Sequence, residues 1–336
     1  MFLLISMFSK FGVIFIASTL FVLGGIFFMK QTLSRETSFI QPVEGVILMA
    51  EKKEVITPVE KTASPVLLFG GDLMFDRYIR TVMRKRGDNF PLALLRDAFS
   101  QADIVVANLE GPITDNPSVS EASQIGAREN YFFTFDPSVA GVLRDAHIDV
   151  VNIGNNHILN FKEEGVVQTK KYLTDAGVQY FGSPLRDDER VVVQDIRGTN
   201  IAFVNYNQFV WQGKEKAFDD IKAIKERADV TILYAHWGTE YVPATEPVKQ
   251  LARQFVDAGA DLVIGSHPHV MQQKELYQGK TIYYSLGNLV FDQYFSPETT
   301  HGLLVKAIID PETKELSFQD IPVTLKNNGQ TVLTEQ

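Results

Sequence analysis

The 336-residue sequence predicts an α/β protein built on a largely parallel or mixed sheet. Three observations carry that prediction. Short apolar runs bounded by glycine alternate with segments of helical spacing from about residue 64 onward. Hydrophobic residues make up 45% of the chain, enough for a full core. Polar motifs follow the apolar runs directly, at the carboxyl ends of strands where such sheets gather ligands.

The elements read in order as follows. "PVLLFGG" is a short buried strand closed by glycines. "PLALLRDAFSQA" has helical spacing, and "DIVVANLE" is a second buried strand. "PSVAGVLRDA" reads as a helix opened by proline, and "IDVVNIG" as a strand. "EEGVVQTKKYLTDAG" is a helix that stops at Gly177. "NIAFVNYN", "DVTILYAHW", "DLVIGSH" and "KTIYYSLGN" are strands, with helices between the first three. "GLLVKAIIDPETKELSFQDIPV" is a β-hairpin around Pro311.

The segment before this domain has a different character. Phe11 to Met29 carries no charge over 19 residues. About 20 apolar residues span a bilayer core, whereas the apolar part of a cleaved signal peptide is roughly 7–15. No clear A-x-A site follows, so residues 1–30 are expected to form an uncleaved transmembrane helix. Lys10 on one side and Lys30 and Arg35 on the other leave its orientation open. Residues 31–63 are charged, contain Pro58 and show weak periodicity, as expected of a linker. The domain is placed at 64–326, with a polar tail at 327–336.

Composition narrows the chemistry. A net charge of −9 argues against a nucleic-acid partner. The lack of cysteine excludes disulfides, thiolate metal sites and cysteine nucleophiles. The six histidines then stand out. His236 follows "TILYA", His267 and His269 follow "LVIGS", and His157 follows "VVNIGNN". Asp72, Asn108, Glu110 and Asn156 occupy equivalent strand ends. Imidazole suits zinc, iron and manganese, and carboxylate suits manganese and magnesium. Asp72, Glu110, Asn156, His236, His267 and His269 are therefore the expected ligands of one or two divalent ions (Mn, Zn, Fe or Mg). Asn108, Trp237, Glu240 and Asn288 are expected to support the site or face substrate. His147 and His301 read as ordinary structural histidines.

Six motifs in this order, "GGDLMFDR", "NLEGPIT", "NIGNNHILN", "AHWGTEY", "GSHPHVMQ" and "YSLGNLVFDQ", resemble the bacterial capsule-synthesis CapA family associated with poly-γ-glutamate. The resemblance spans roughly residues 65–309. That family is similar in fold to the calcineurin-like metallophosphoesterases, which implies a four-layer α/β sandwich with a metal centre at one edge. It also implies a domain outside the cytoplasm, on a single-pass protein of the cell membrane. Asp72, Glu110, Asn156, His236, His267 and His269 match the family's metal-site positions, and His157 matches its candidate acid.

Two residues depart from the metallophosphoesterase pattern and one from that of the capsule family. Met74 stands where a ligand histidine is usual, Glu110 where a bridging aspartate is usual, and Asn160 where the capsule family usually has aspartate. Two functions follow as expectations. One is a membrane-anchored metal-dependent hydrolase acting on a phosphoester or an amide of an anionic capsular polymer. The other is a non-catalytic metal- or ligand-binding subunit of a polymer-synthesis or export complex.

Overall fold

A computed structural model describes residues 63–335. The expected membrane helix (1–30) and the expected linker up to residue 62 lie outside the described residues. Among the described residues, no helix is long and apolar enough to cross a membrane.

The chain runs β1 (Val66–Leu73), α1 (Arg77–Arg86), α2 (Arg96–Phe99), β2 (Ile104–Leu109), α3 (Ser138–Asp145), β3 (Val150–Asn152), α4 (Lys162–Ala176) and β4 (Gln179–Phe181). It continues through β5 (Val191–Ile196), β6 (Thr199–Asn207), α5 (Gly213–Ile224), β7 (Val230–His236), α6 (Glu246–Ala258) and β8 (Leu262–Ser266). It closes with β9 (Lys274–Tyr277), β10 (Lys280–Tyr283), β11 (Asn288–Val290), β12 (His301–Ile309), β13 (Leu316–Leu325) and β14 (Thr331–Leu333). One sheet has the order β14-β13-β12-β1-β2-β3-β4, with β11 also paired to β1. The other has the order β5-β6-β7-β8-β10-β9. Both are mixed: β1-β2-β3-β4 and β6-β7-β8-β10 pair in parallel, and the flanking strands are antiparallel.

Side chains alternate across each strand, and both faces of the central strands are covered. Leu67, Phe69, Ile104 and Val106 of the first sheet meet Ile201, Phe203, Ile232 and Ile264 of the second in a core between the sheets. Leu68, Val105 and Ala107 point the other way, onto Ile79, Val142 and Leu173 of the helices α1, α3 and α4. Val204, Leu233 and Val263 meet Ile221 and Phe255 of α5 and α6. Three apolar layers between four layers of secondary structure make this a four-layer α/β sandwich. Two-sided burial also explains why these strands read as continuous apolar runs rather than alternating ones.

Some details differ from the expected elements. The segment 91–102 forms a 3₁₀ turn at Phe90–Leu92 and the four-residue α2, not one helix. Leu94 is exposed, so its apolar spacing is not matched by one continuous buried face. Thr331–Leu333, within the expected polar tail, pairs with β13 as β14. His147 lies just past the end of α3.

Two glycines let the sheet edges close. A Cβ on Gly71 would lie 1.8 Å from the carbonyl oxygen of Gly287, and one on Gly265 would lie 1.9 Å from that of Tyr284. The backbones of β1 and β8 therefore approach their neighbours more closely than any side chain allows. In β1 the pairing register shifts between Phe69 and Asp72, which places Asp72 level with Asn108.

Candidate metal centre

Every functional side chain but Asn288 comes from the carboxyl end of a strand or the loop just beyond it. β1 delivers Asp72, β2 delivers Asn108 and then Glu110, and the loop after β3 delivers Asn156 and His157. β7 ends on His236, β8 leads into His267 and His269, and β11 opens with Asn288.

The structure brings these residues together. Glu110, His267 and His269 each offer a ligand atom within 4.8 Å of the others. Glu110 Oε1 lies 3.6 Å from His269 Nε2, 3.8 Å from His157 Nε2 and 4.0 Å from His236 Nε2. Asp72 Oδ2 lies 3.4 Å from His269 Nδ1. His236 Nε2 lies 2.8 Å from Asn156 Oδ1. Most of these separations are too long for hydrogen bonds. They match ligand atoms sharing an ion, which sit roughly 3–4 Å apart when each bond is about 2.0–2.2 Å.

Electrostatics support the same fit. Glu110 is fully buried, and among the described residues neither of its carboxylate oxygens has a hydrogen-bond partner; the buried Nδ1 of His267 is also unpartnered there. Native interiors rarely leave such atoms unmatched. Burial pushes the Glu110 carboxyl well above its ordinary value of 4.5, and the adjacent Asp72 and Glu240 carboxylates push it further. Burial holds His236 well below 6.5. Burial also draws His157 down to about 3 and His267 to about 4, with neighbouring histidines adding to the effect. Neutral imidazoles facing two buried carboxylates form a donor set that a divalent cation completes. The residues present therefore fit a metal ion.

A chain of amides holds this set. Asn205 Nδ2 donates to Asn152 Oδ1 (2.8 Å), Asn152 Nδ2 to Asn108 Oδ1 (2.9 Å), and Asn108 Nδ2 to Asp72 Oδ1 (2.8 Å). Asn155 Nδ2 donates to the Leu109 carbonyl, and Asn155 Oδ1 accepts the His157 amide. Asn108 is thus a buried bridge. Asn288 also supports, because its Oδ1 meets His269 Nδ1 at 3.0 Å and so orients that ring. Trp237 is buried and donates from Nε1 to the Tyr284 carbonyl. Glu240 acts through its charge on Glu110 and His267.

The His267-Pro268-His269 loop is strained. His267 has φ 94° and His269 φ 58°, in the left-handed region that non-glycine residues seldom enter. Asp72 Oδ2 accepts the His267 amide at 3.1 Å, and the Pro268 carbonyl accepts the Tyr241 amide at 2.9 Å. These contacts hold both imidazoles over Glu110.

His157 is placed differently. Its ring stacks on Phe133, with centroids 4.4 Å apart. Asn160 Nδ2 donates to the Tyr131 carbonyl and lies 3.3 Å from His157 Nδ1. The Asn160 amide and the Tyr131 carbonyl thus border Nδ1, and Nε2 lies toward the cluster, 3.8 Å from Glu110 Oε1. Met74 packs into the helix-side core, and its sulfur accepts the Asp76 amide. His147 precedes β3 at the opposite end of the sheet, and His301 Nδ1 faces the Pro297 carbonyl at 2.6 Å.

Sequence reasoning did not single out Asn152, Asn155, Asn205, Ser266 or Tyr241. The asparagines carried a signal, since "VVNIGNN" and "VNYN" place them just where an apolar run ends.

A model of the family described as bacterial capsule synthesis protein PGA_cap matches residues 66–293. The PGA biosynthesis protein CapA of Bacillus subtilis (strain 168) is 32% identical over 260 residues, covering 70% of this chain and 67% of that protein. The capsule biosynthesis protein CapA of Bacillus anthracis is 27% identical over 341 residues, covering 92% of this chain and 81% of that protein. The crystal structure of a hypothetical protein from Thermus thermophilus superposes with a TM-score of 0.48 at 18% identity, covering 76% of this chain and 98% of that one.

Proposed function

The chain belongs to the bacterial capsule synthesis protein family, and from that membership we propose a membrane-anchored, extracytoplasmic hydrolase that processes a capsular or cell-envelope polymer at a divalent-metal centre. The buried, unpartnered Glu110 carboxylate among histidine nitrogens is the observation that carries this reading. The uncharged run Phe11 to Met29 supports the anchor.

Asp72, Glu110, Asn156, His236, His267 and His269 would hold the ion or ions. A divalent ion supplies a Lewis acid for a phosphoryl or acyl oxygen. The rest of the chemistry belongs to the chain. His157 turns Nε2 toward the cluster, 3.8 Å from Glu110 Oε1, and to serve as the acid it would first take up a proton there and then pass it to a leaving group. Phe133 packs against that ring at a tilt of 34°, and the Asn160 amide lies 3.3 Å from its Nδ1. Phe209 packs on His236 and His267, at centroid distances of 5.9 and 4.6 Å, and limits water on that side.

Metal analysis of the purified full-length chain, followed by assay of a phosphodiester and a γ-glutamyl amide, tests the proposal. Bound metal with turnover is expected. His157→Ala should keep its metal and lose roughly 10²–10⁴-fold in rate, the usual worth of a general acid. Metal without turnover in the parent favours the non-catalytic subunit. Two features support that second reading: an amide rather than a carboxylate at Asn160, and Met74 turned into the core.

A further inference from the structure

A cavity of about 330 Å³ opens beside the metal centre. Two of its walls are tied to the site. On one side, the Tyr241 ring centroid lies 6.0 Å from that of His269 and 5.2 Å from that of Phe295. The Tyr241 hydroxyl accepts from Gln293 Nε2 at 2.9 Å, and Gln293 Oε1 accepts at 3.2 Å from Asn288, the residue that orients His269. On the other side, the Arg77 guanidinium lies 5.0 Å from the centroid of Phe133, the ring that stacks on His157. Whatever fills this cavity therefore meets Tyr241 and Arg77, which in turn pack against His269 and against Phe133, the neighbour of His157.

The lining is aromatic and amide-rich. Tyr78, Tyr131, Tyr241 and Phe295 are 43%, 51%, 42% and 66% exposed, so four rings open toward solvent around one cavity. Exposed rings gathered in this way mark a binding surface. Tyr241 keeps its place at φ 62°, a backbone conformation that costs energy for any side chain. Asn130 and Gln293 add planar amides between the rings.

Charge separates the ligand classes. Among the described residues, Arg77 is the one cation in the lining, and it already pairs with Asp292 and meets Asn130. Glu121 adds a second carboxylate. Arg84, outside the lining, pairs with Glu121 at 2.7 Å, so a polyanion entering here meets two carboxylates whose arginine partners are both engaged, and no free cation offsets its desolvation. An uncharged polyhydroxyl chain meets ring faces for its C–H surfaces, and amides and carboxylates for its hydroxyls.

We propose that this cavity is a subsite for a neutral glycan, with sugar rings stacked on Tyr131, Tyr241 and Phe295. The proposal rests on the hydrolytic reading of the centre only for its direction: a glycan seated there presents a linkage or substituent to His157. The site would then act on a polymer joined to, or transferred from, a carbohydrate.

Calorimetric titration of the full-length chain with chitotetraose, a neutral oligomer of N-acetylglucosamine, and separately with a γ-linked glutamate tetramer tests this. Saturable chitotetraose binding is expected, changing less than about twofold between roughly 50 and 500 mM salt. Tyr131→Ala combined with Phe295→Ala should weaken it about tenfold, the scale of losing two ring contacts. If that double variant unfolds, Tyr131→Leu keeps apolar bulk without a ring and should still weaken binding. No saturable chitotetraose binding overturns the proposal. So does tighter binding of the glutamate tetramer that fades as salt rises. Metal content and phosphodiester hydrolysis are read on the same preparations. A chain that binds glycan without metal or turnover refutes the hydrolytic reading and leaves the subsite standing. A chain with metal and turnover but no glycan binding removes the subsite alone.

Discussion

The two ends of the parallel strands solve the same problem in opposite ways. At the amino ends, four aspartates precede four strands. Asp103 Oδ2 accepts the Val66 amide (2.9 Å), Asp149 Oδ2 that of Val105 (2.8 Å), Asp229 Oδ2 that of Asn200 (2.8 Å) and Asp261 Oδ2 that of Thr231 (2.9 Å). Each aspartate also donates its own amide to the neighbouring strand: Asp103 to Val66, Asp149 to Val105, Asp229 to Asn200 and Asp261 to Thr231. The same device serves both sheets. At the carboxyl ends, Glu110 is left with two unmatched oxygens and His267 with an unmatched nitrogen. One end satisfies itself, and the other leaves donor atoms open where the proposed metal would sit. Strand geometry is common to both ends, so the difference lies in the side chains alone.

The largest expected effect breaks the carboxyl end. Chelation should lower the stability of the parent by about 2.7 kcal/mol relative to metal at a hundred times its dissociation constant. Glu110→Gln should abolish that difference along with metal binding, because an amide cannot neutralise the ion. Calorimetric melting with and without chelator reads both outcomes. Equal melting of metal-loaded and chelated parent would contradict the contrast between the ends.

A second test asks whether carboxylates at the carboxyl end are ever purely structural. Asp76 follows β1, is fully buried, pairs with buried Arg80 at 2.9 Å and accepts from Ser120 and the Thr134 amide. Asp76→Ala should cost about 1–3 kcal/mol, because Arg80 keeps Asp136 but the buried Ser120 hydroxyl and Thr134 amide lose their acceptor. Denaturant titration measures the loss, and the folded fraction should keep its metal.

At the amino end, Asp261→Ala removes the partner of the Thr231 amide and of Lys280 Nζ. A loss of about 1–3 kcal/mol is expected, with metal content unchanged. A change in metal content would show that the two ends are coupled.

The smallest effect concerns pH. The bidentate Arg197 guanidinium holds the Asp103 carboxyl below its ordinary value of 3.8. A folded value below the unfolded one means that the pair stabilises the fold above about pH 3.8 and loses that contribution as pH falls through the folded value. Asp103→Asn should flatten the acid limb of the stability curve while leaving stability near neutral pH lower by about 0.2–1 kcal/mol.

Much of this was legible from residue order. Central strands buried on both faces leave unbroken apolar runs, and the residue that ends each run points to the rim. That is why Asp72, Glu110, His236 and His267 stood out in the sequence. Edge strands were harder. β9 reads "KELY" and alternates exposed with half-buried residues, and β5 is only partly buried, so neither makes an apolar run. The amide chain was hidden for another reason. Asn152 and Asn205 lie on different sheets, and their contact depends on how the sheets stack, which periodicity does not encode. The four aspartates were visible as A-D or I-D before apolar runs, but their role appears only once the strand register is known.

The strained histidine loop has an evolutionary consequence. Residues held in the left-handed region cost on the order of 1–3 kcal/mol each. Glycine at 267 or 269 would release that strain, whereas the proposed metal site calls for the imidazoles. Selection for heat resistance in metal-free medium should therefore drift toward glycine at these positions, and the survivors would be sturdier proteins that have forgotten their trade.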